Sequence, residues 1–206
     1  MKTLVVERST ETQSVALVAD GATIGKVFPA LGVRNAGWCV KVRDFLAERG
    51  LAFKDLDRFV VGTGPGSFAG VRAAIAFAQG CALGAGKQYA FGIPSAYAFA
   101  RAGKRIAVVG DARRGQHWMI AFDGHAVARD FALFGKEELY AAVPEDCAVA
   151  TPDGARIGDL LASVFGDRFL GPGVPLAERL AEAAEANPAA LKPEPLPTYL
   201  SPAVRS

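Results

Sequence analysis

A glycine-rich turn, Gly64-Pro65-Gly66-Ser67, stands directly before a helix-like run in the stretch GTGPGSFAGVRAAIAFAQGCALG, residues 62–84. Such a turn could cradle a phosphate with backbone amides, raise a serine nucleophile on a strained elbow, or bring a helix close to a strand. A P-loop requires a lysine followed by Ser or Thr at the helix start, and the dinucleotide fingerprint requires G-x-G-x-x-G. Here Gly64, Gly66 and Gly70 give G-x-G-x-x-x-G, the lysine is missing, and Pro65 removes an amide. Phosphate binding is therefore disfavoured. A nucleophilic Ser67 would need the pattern G-x-S-x-G and a histidine partner. Ser67 is instead followed by Phe68, and the chain holds only His117 and His125. Ser67 reads as the N-cap of the helix that follows, and Gly64 and Gly66 as servants of backbone geometry, with positive φ the expected reason.

A second group of candidates comes from a recurring pattern. A β-rich run ends in Glu7 and is followed by a turn, a strand, Asp20-Gly21 and another strand; a similar run ends in Asp111 and leads to Asp123-Gly124. This points to two related α/β halves meeting near residue 100. In ATPases of the actin and Hsp70 type, each half opens on such a hairpin, whose small residues let the backbone approach phosphate. Here Arg8 follows Glu7, and Arg113 and Arg114 follow Asp111, so both loops read as degenerate nucleotide loops and no cofactor is expected. His117 and His125 stand eight apart, on what read as neighbouring strands, and make no metal pair; no metal is expected. Cys39, Cys81 and Cys147 lack metal-ligand spacing, read as structural, and suit a reducing cytoplasmic setting.

The elements that position these residues follow from periodicity. The chain has 206 residues, 51% hydrophobic and 21% charged, which supports a substantial core; its net charge of +2 gives no overall case for nucleic-acid binding. The basic run 101–117 is read as a solvated face or a protein contact. The N-terminus does not read as a signal peptide, and no apolar run reaches membrane-spanning length. Three strands open the chain, and Trp38, Cys39, Val42, Phe45 and Leu46 fall on one face of a helix predicted over residues 36–49. A fourth strand is predicted at 58–63, a helix at 68–83, a strand at 88–93 and a helix from Pro94 or Ser95. The second half offers short helices around KEELYAAV and RIGDLLASVF, the strand CAVAT, and an amphipathic helix near 176–186. The proline-rich end, KPEPLPTYLSPAVRS, is predicted to be an extended tail without regular structure. Residues 1–100 thus form one α/β half and residues 101–206 a reduced second half with that tail. The helix over 68–83 carries Arg72 as its only charge, so a second helix or chain is expected to cover it.

Taken in order, these motifs resemble the TsaB (YeaZ) family. GTGPGSFAGVRAAIAFAQGCALG is similar to that family's G-x-G-P-G-S-F-T-G-[LV]-R motif, with Ala69 in place of Thr. TLVVERSTETQSVAL resembles its opening, GDARRGQHW its D-A-R segment, and PTYLS its closing P-x-Y-[LV]-R. The departures are Glu7 for Asp, Arg8 for Thr, Arg34-Asn35 for the His-Ser that opens the first helix, and Ser201 for the last Arg. The resemblance implies a duplicated α/β fold of the actin/Hsp70 type, no catalysis of its own, and a cytoplasmic role. It implies support of TsaD, with the ATPase TsaE alongside, in threonylcarbamoylation of the tRNA adenosine beside the anticodon, tRNA being met only indirectly. A homodimer in isolation is the other expected state. Pairing would use the two N-terminal helices, through Trp38, Val42, Phe45, Ala69, Val71, Arg72 and Ala76. The alternative is a divergent enzyme of the same fold, TsaD-like or a small-molecule kinase.

Overall fold

Alternating apolar residues build the first sheet, and two helices cover one of its faces. The structure, a computed structural model, describes residues 1–28 and 37–200. Ala36, Arg34-Asn35 and Ser201, which carried expectations above, lie outside the described residues. The strands β1 (Thr3–Glu7), β2 (Gln13–Ala19) and β3 (Ala22–Phe28) form an antiparallel meander. Then come helix α1 (Trp38–Ala47), strand β4 (Arg58–Gly62), helix α2 (Phe68–Gly84) and strand β5 (Phe91–Ile93), with β4 parallel to both β1 and β5. Leu4, Val6, Val15, Leu17, Phe59 and Val61 pack in one cluster with Trp38, Val42 and Phe45 of α1 and Ala74, Ala78 and Ala82 of α2.

A second sheet repeats this plan. Its strands are β6 (Arg105–Arg113), β7 (Gln116–Asp123), β8 (Ala126–Gly135), β9 (Ala148–Thr151) and β10 (Phe169–Pro172). Helices α3 (Lys136–Ala142) and α4 (Gly154–Phe165) lie between them in sequence. The spatial order is β10-β9-β6-β7-β8 in this sheet and β5-β4-β1-β2-β3 in the first, antiparallel and parallel pairs falling at matching places. The duplication read from two hairpins thus extends through five strands of each sheet.

Three expectations need correction. The chain divides into one unit of residues 1–98 with 175–198 and another of 99–174 with the chain from Tyr199 onward, so residues 175–198 do not group with the second half. The reason is helix α5 (Ala177–Ala186), whose buried stripe Ala177, Leu180, Ala181 and Ala184 packs on β1, β2 and β3. The tail is also not without regular structure: a two-residue strand β11 (Lys192–Pro193) pairs with β5. Beyond it the Thr198 N–H donates to the Thr63 carbonyl at 2.8 Å. Finally, the helix expected from Pro94 or Ser95 is a short 3-10 turn, Ser95–Phe99, buried along its length and so without the polar face of a surface helix.

Candidate functional site

The glycine turn is held from below by a buried acid. Glu7 closes β1 and is fully buried; its Oε1 accepts from the Ser9 N–H at 2.5 Å, and its Oε2 from the Ser95 hydroxyl at 2.6 Å. Ser95 Oγ in turn accepts from the Gly64 N–H at 2.9 Å, while the Ser95 N–H donates to the Gly64 carbonyl at 2.8 Å. One carboxylate thereby ties the ends of three strands together. Room for it comes from Gly62, where a Cβ would stand 1.7 Å from Glu7 Oε2. Gly62 was not singled out in the sequence, although a glycine within a strand pattern is the signal of such an approach.

The turn itself is structural. Gly64 adopts φ +85, and the Gly64-Pro65 peptide is cis. Gly66 is not at positive φ, which corrects the reason expected for it. Its constraint is steric, since a Cβ there would meet the Ser9 carbonyl oxygen at 2.2 Å. Gly70 is needed likewise against the Arg8 carbonyl, also at 2.2 Å. Ser67 caps α2 as read, its Oγ accepting from the Gly70 N–H at 3.2 Å. The Arg8 guanidinium lies over the Trp38 ring, 4.6 Å from its centroid.

Burial pushes the Glu7 carboxyl above its ordinary value of 4.5, against the lowering effect of its hydrogen bonds from Ser9 and Ser95. A raised acid binds its proton more tightly in the folded state. Stability is therefore greatest below the unfolded value and falls as pH rises from about 4.5 towards the folded value, beyond which it levels off. Glu7→Gln carries no charge, and its amide can accept from Ser9 and donate to Ser95. The stability difference, variant minus wild type, is therefore expected to grow with pH across that window. Urea denaturation at several pH values measures it; a difference independent of pH would show that Glu7 does not titrate in the fold.

The second loop is equally engaged. The Asp111 N–H donates to Asp153 Oδ2 at 2.9 Å, and Asp111 Oδ2 pairs with Arg156 Nε at 2.8 Å and with Arg113 at 3.5 Å. Arg156 also pairs with Asp153, just before α4. Arg113, Arg114 and Gly115 take φ of 69, 54 and 75, so bulky side chains line a left-handed turn. Gly110 was likewise not singled out. A Cβ there would meet the Trp118 ring at 2.1 Å. His117 lies in β7, but His125 sits in the turn before β8 rather than on a neighbouring strand. Among the described residues no group of three or more His, Cys, Asp or Glu could hold a metal ion. No helix among them is long and apolar enough to cross a membrane.

The expected pairing residues divide into two sets. Trp38, Val42, Phe45 and Val71 are at most 3% exposed, because the chain's own core consumes them; they form no free surface. Ala69, Arg72 and Ala76 are exposed on α2, together with Phe68, Ala73, Gly80 and Leu83. Arg72 lies over the Phe68 ring at 4.1 Å. The outer face of α2 is thus made of small and apolar side chains with one cation.

Two sheets of matching strand order, each opened by a meander that carries an acid in the last three residues of its first strand, define a duplicated α/β protein of the actin/Hsp70-like class. The solved structure of YeaZ from Pseudomonas aeruginosa superposes with a TM-score of 0.78 at 26% identity, over 97% of this chain and 99% of that one. A second Pseudomonas aeruginosa structure, described as similar to peptidase YEAZ, gives a TM-score of 0.77 at 22% identity over the same shares. The family model of TsaD, the tRNA N6-adenosine threonylcarbamoyltransferase, matches residues 39–133. The tRNA threonylcarbamoyladenosine biosynthesis protein TsaB of Escherichia coli is 40% identical over 86 residues, 41% of this chain and 37% of that relative. The tRNA N6-adenosine threonylcarbamoyltransferase of Maricaulis maris is 44% identical over 68 residues, 32% of this chain and 18% of that one. These alignments span well under half the length of either relative. The chain is thus similar to proteins of the TsaB (YeaZ) family.

Proposed function

We propose that this chain is a non-catalytic partner of a TsaD-like transferase, supporting threonylcarbamoylation of the tRNA adenosine beside the anticodon. A TsaE-like ATPase is the further partner in this reading, tRNA is met through the complex, and the setting is cytoplasmic. The observation that carries it is the outer face of α2, where Ala69, Ala73, Ala76 and Gly80 leave room for another helix to approach. Soluble chains rarely expose a contiguous apolar patch without a partner. The non-catalytic part rests on the two acids: Glu7 is buried under Ser9 and Ser95, and Asp111 is neutralised by Arg156 and Arg113.

Ala76→Glu tests this reading, because Ala76 is exposed in the chain alone and its replacement leaves the fold intact. A carboxylate buried without a partner at a helix-to-helix contact is expected to weaken association by about 2 kcal/mol, roughly thirtyfold in Kd. Light scattering after size exclusion, and calorimetry with the cognate TsaD-like protein, measure it. A wild type that stays monomeric and ignores that protein would sink the proposal. Full transferase activity by the chain alone would favour the enzyme alternative.

A further inference from the structure

The outer strands of the two sheets are not equally protected. β11 is two residues long and holds Pro193, β10 ends in Pro172 with a shifted register against β9, and the register of β8 slips twice against β7. Shortness, proline and bulges all blunt an edge against an added strand. β3 has none of them. It runs seven residues in unbroken register with β2, and among the described residues no strand pairs with its other side. Its one lysine, Lys26, donates to Glu48 Oε1 at 3.0 Å, just past α1, and so does not guard the edge.

The hairpin decides which backbone groups of β3 stay unspent. Asp20 and Gly21 take φ of 52 and 77, a two-residue turn whose flanking pair, Ala19 and Ala22, exchanges both backbone hydrogen bonds. Antiparallel alternation then points the N–H and C=O of Ile24, Lys26 and Phe28 at β2, and those of Thr23, Gly25 and Val27 outward. The side chains of Thr23, Ile24 and Val27 are exposed. Gly25 stands in the middle of the outward row, on the face where α5 packs. A Cβ there would collide with Glu178 Cγ and Cδ, so the Glu178 side chain crosses the bare backbone of the edge strand. Among the described residues its carboxylate makes no hydrogen bond or ion pair.

We propose that the outer side of β3 is a docking edge for an extended segment of a partner protein that sets a lysine or arginine opposite Gly25. Thr23, Gly25 and Val27 offer that segment a donor and an acceptor each. Its side chains opposite these three fall on the α5 face, where the basic one meets Glu178 and apolar neighbours cover Thr23 and Val27. Charge disfavours a second copy as the occupant. Pairing two β3 edges through all three outward residues sets Gly25 against Gly25 and brings two Glu178 carboxylates together without a cation.

The probe is a capped peptide, Thr-Val-Thr-Lys-Thr-Val-Thr, titrated into the full chain while amide hydrogen exchange is followed by NMR. The Thr23, Gly25 and Val27 amides are expected to slow roughly tenfold at nine-tenths saturation, and those of Ile24 and Lys26, already bonded to β2, to stay unchanged. Glu178→Gln is expected to weaken binding about threefold, the worth of one exposed ion pair. A peptide with glutamate in place of its lysine should bind roughly tenfold more weakly, since attraction becomes repulsion. Val27→Pro removes an outward N–H without touching a bond to β2 and should abolish the protection. The proposal is overturned if the three amides exchange as in the free chain, or if the glutamate peptide binds equally well. It is equally overturned if those amides become protected without peptide as chain concentration rises, because a second copy is then the occupant. Neither a transferase nor any residue of α2 enters the test, so its outcome is independent of the proposed function.

Discussion

Gly62→Ala is expected to be among the most damaging single-methyl changes in this chain. The added Cβ would stand 1.7 Å from Glu7 Oε2 and 2.8 Å from Ser95 Oγ, within the hydrogen-bonded cluster that holds that carboxyl. Neither neighbour can retreat, because Glu7 is fully buried and Ser95 is bonded to Gly64 in both directions. Overpacking combined with a disturbed buried acid costs roughly 3 kcal/mol or more. That corresponds to a fall in Tm on the order of 10 °C. The check is a double-mutant cycle with Glu7→Ala, which removes the obstacle. If Gly62→Ala costs as much in that background as in wild type, the carboxylate is not what the methyl strikes.

Gly110→Ala should do comparable damage in the other unit. Gly110 and Trp118 lie directly opposite in the β6–β7 pair, and a Cβ at Gly110 would fall 2.1–2.4 Å from Trp118 Cε2, Cζ2 and Nε1. The indole is 4% exposed and meets Phe131 edge to face at 5.8 Å, so its displacement disturbs that neighbour as well. A loss of about 2–3 kcal/mol is expected, with an altered near-ultraviolet circular dichroism signal from the tryptophan. An unchanged melting curve together with an unchanged aromatic spectrum would refute the close approach.

Both glycines show where the sequence could be read and where it could not. Strand periodicity and the Asp20-Gly21 and Asp123-Gly124 turns announce the two meanders, because alternation and turn chemistry are local. The Ser67 cap was equally legible. What Gly62 and Gly110 make room for is not local: Glu7 is 55 residues away in the chain, and Trp118 lies across a hairpin. The apolar character of α1 and α2 was correctly seen, but their periodicity cannot say which residues the sheet will consume. It consumed Trp38, Val42, Phe45 and Val71 and left Ala69, Arg72 and Ala76 outside. The proline-rich end misled for a related reason. Pro193 and Pro195 forbid a helix, yet they do not forbid edge pairing, and Pro195 packs over Gly92 of β5.

That returning tail has a consequence for how the molecule is made. The first sheet buries Val5, Ala16 and Val60 on the face opposite α1 and α2, on the side where α5 packs against β1, β2 and β3. Its cover is therefore encoded after residue 174, beyond the whole of the second unit. A ribosome delivers the chain from the N-terminus, so that face has no helix to rest against until synthesis has passed residue 186. The second sheet, by contrast, has its two covering helices, α3 and α4, within the stretch that holds its strands. The sheet that is begun first is thus the one whose outer helix is made last.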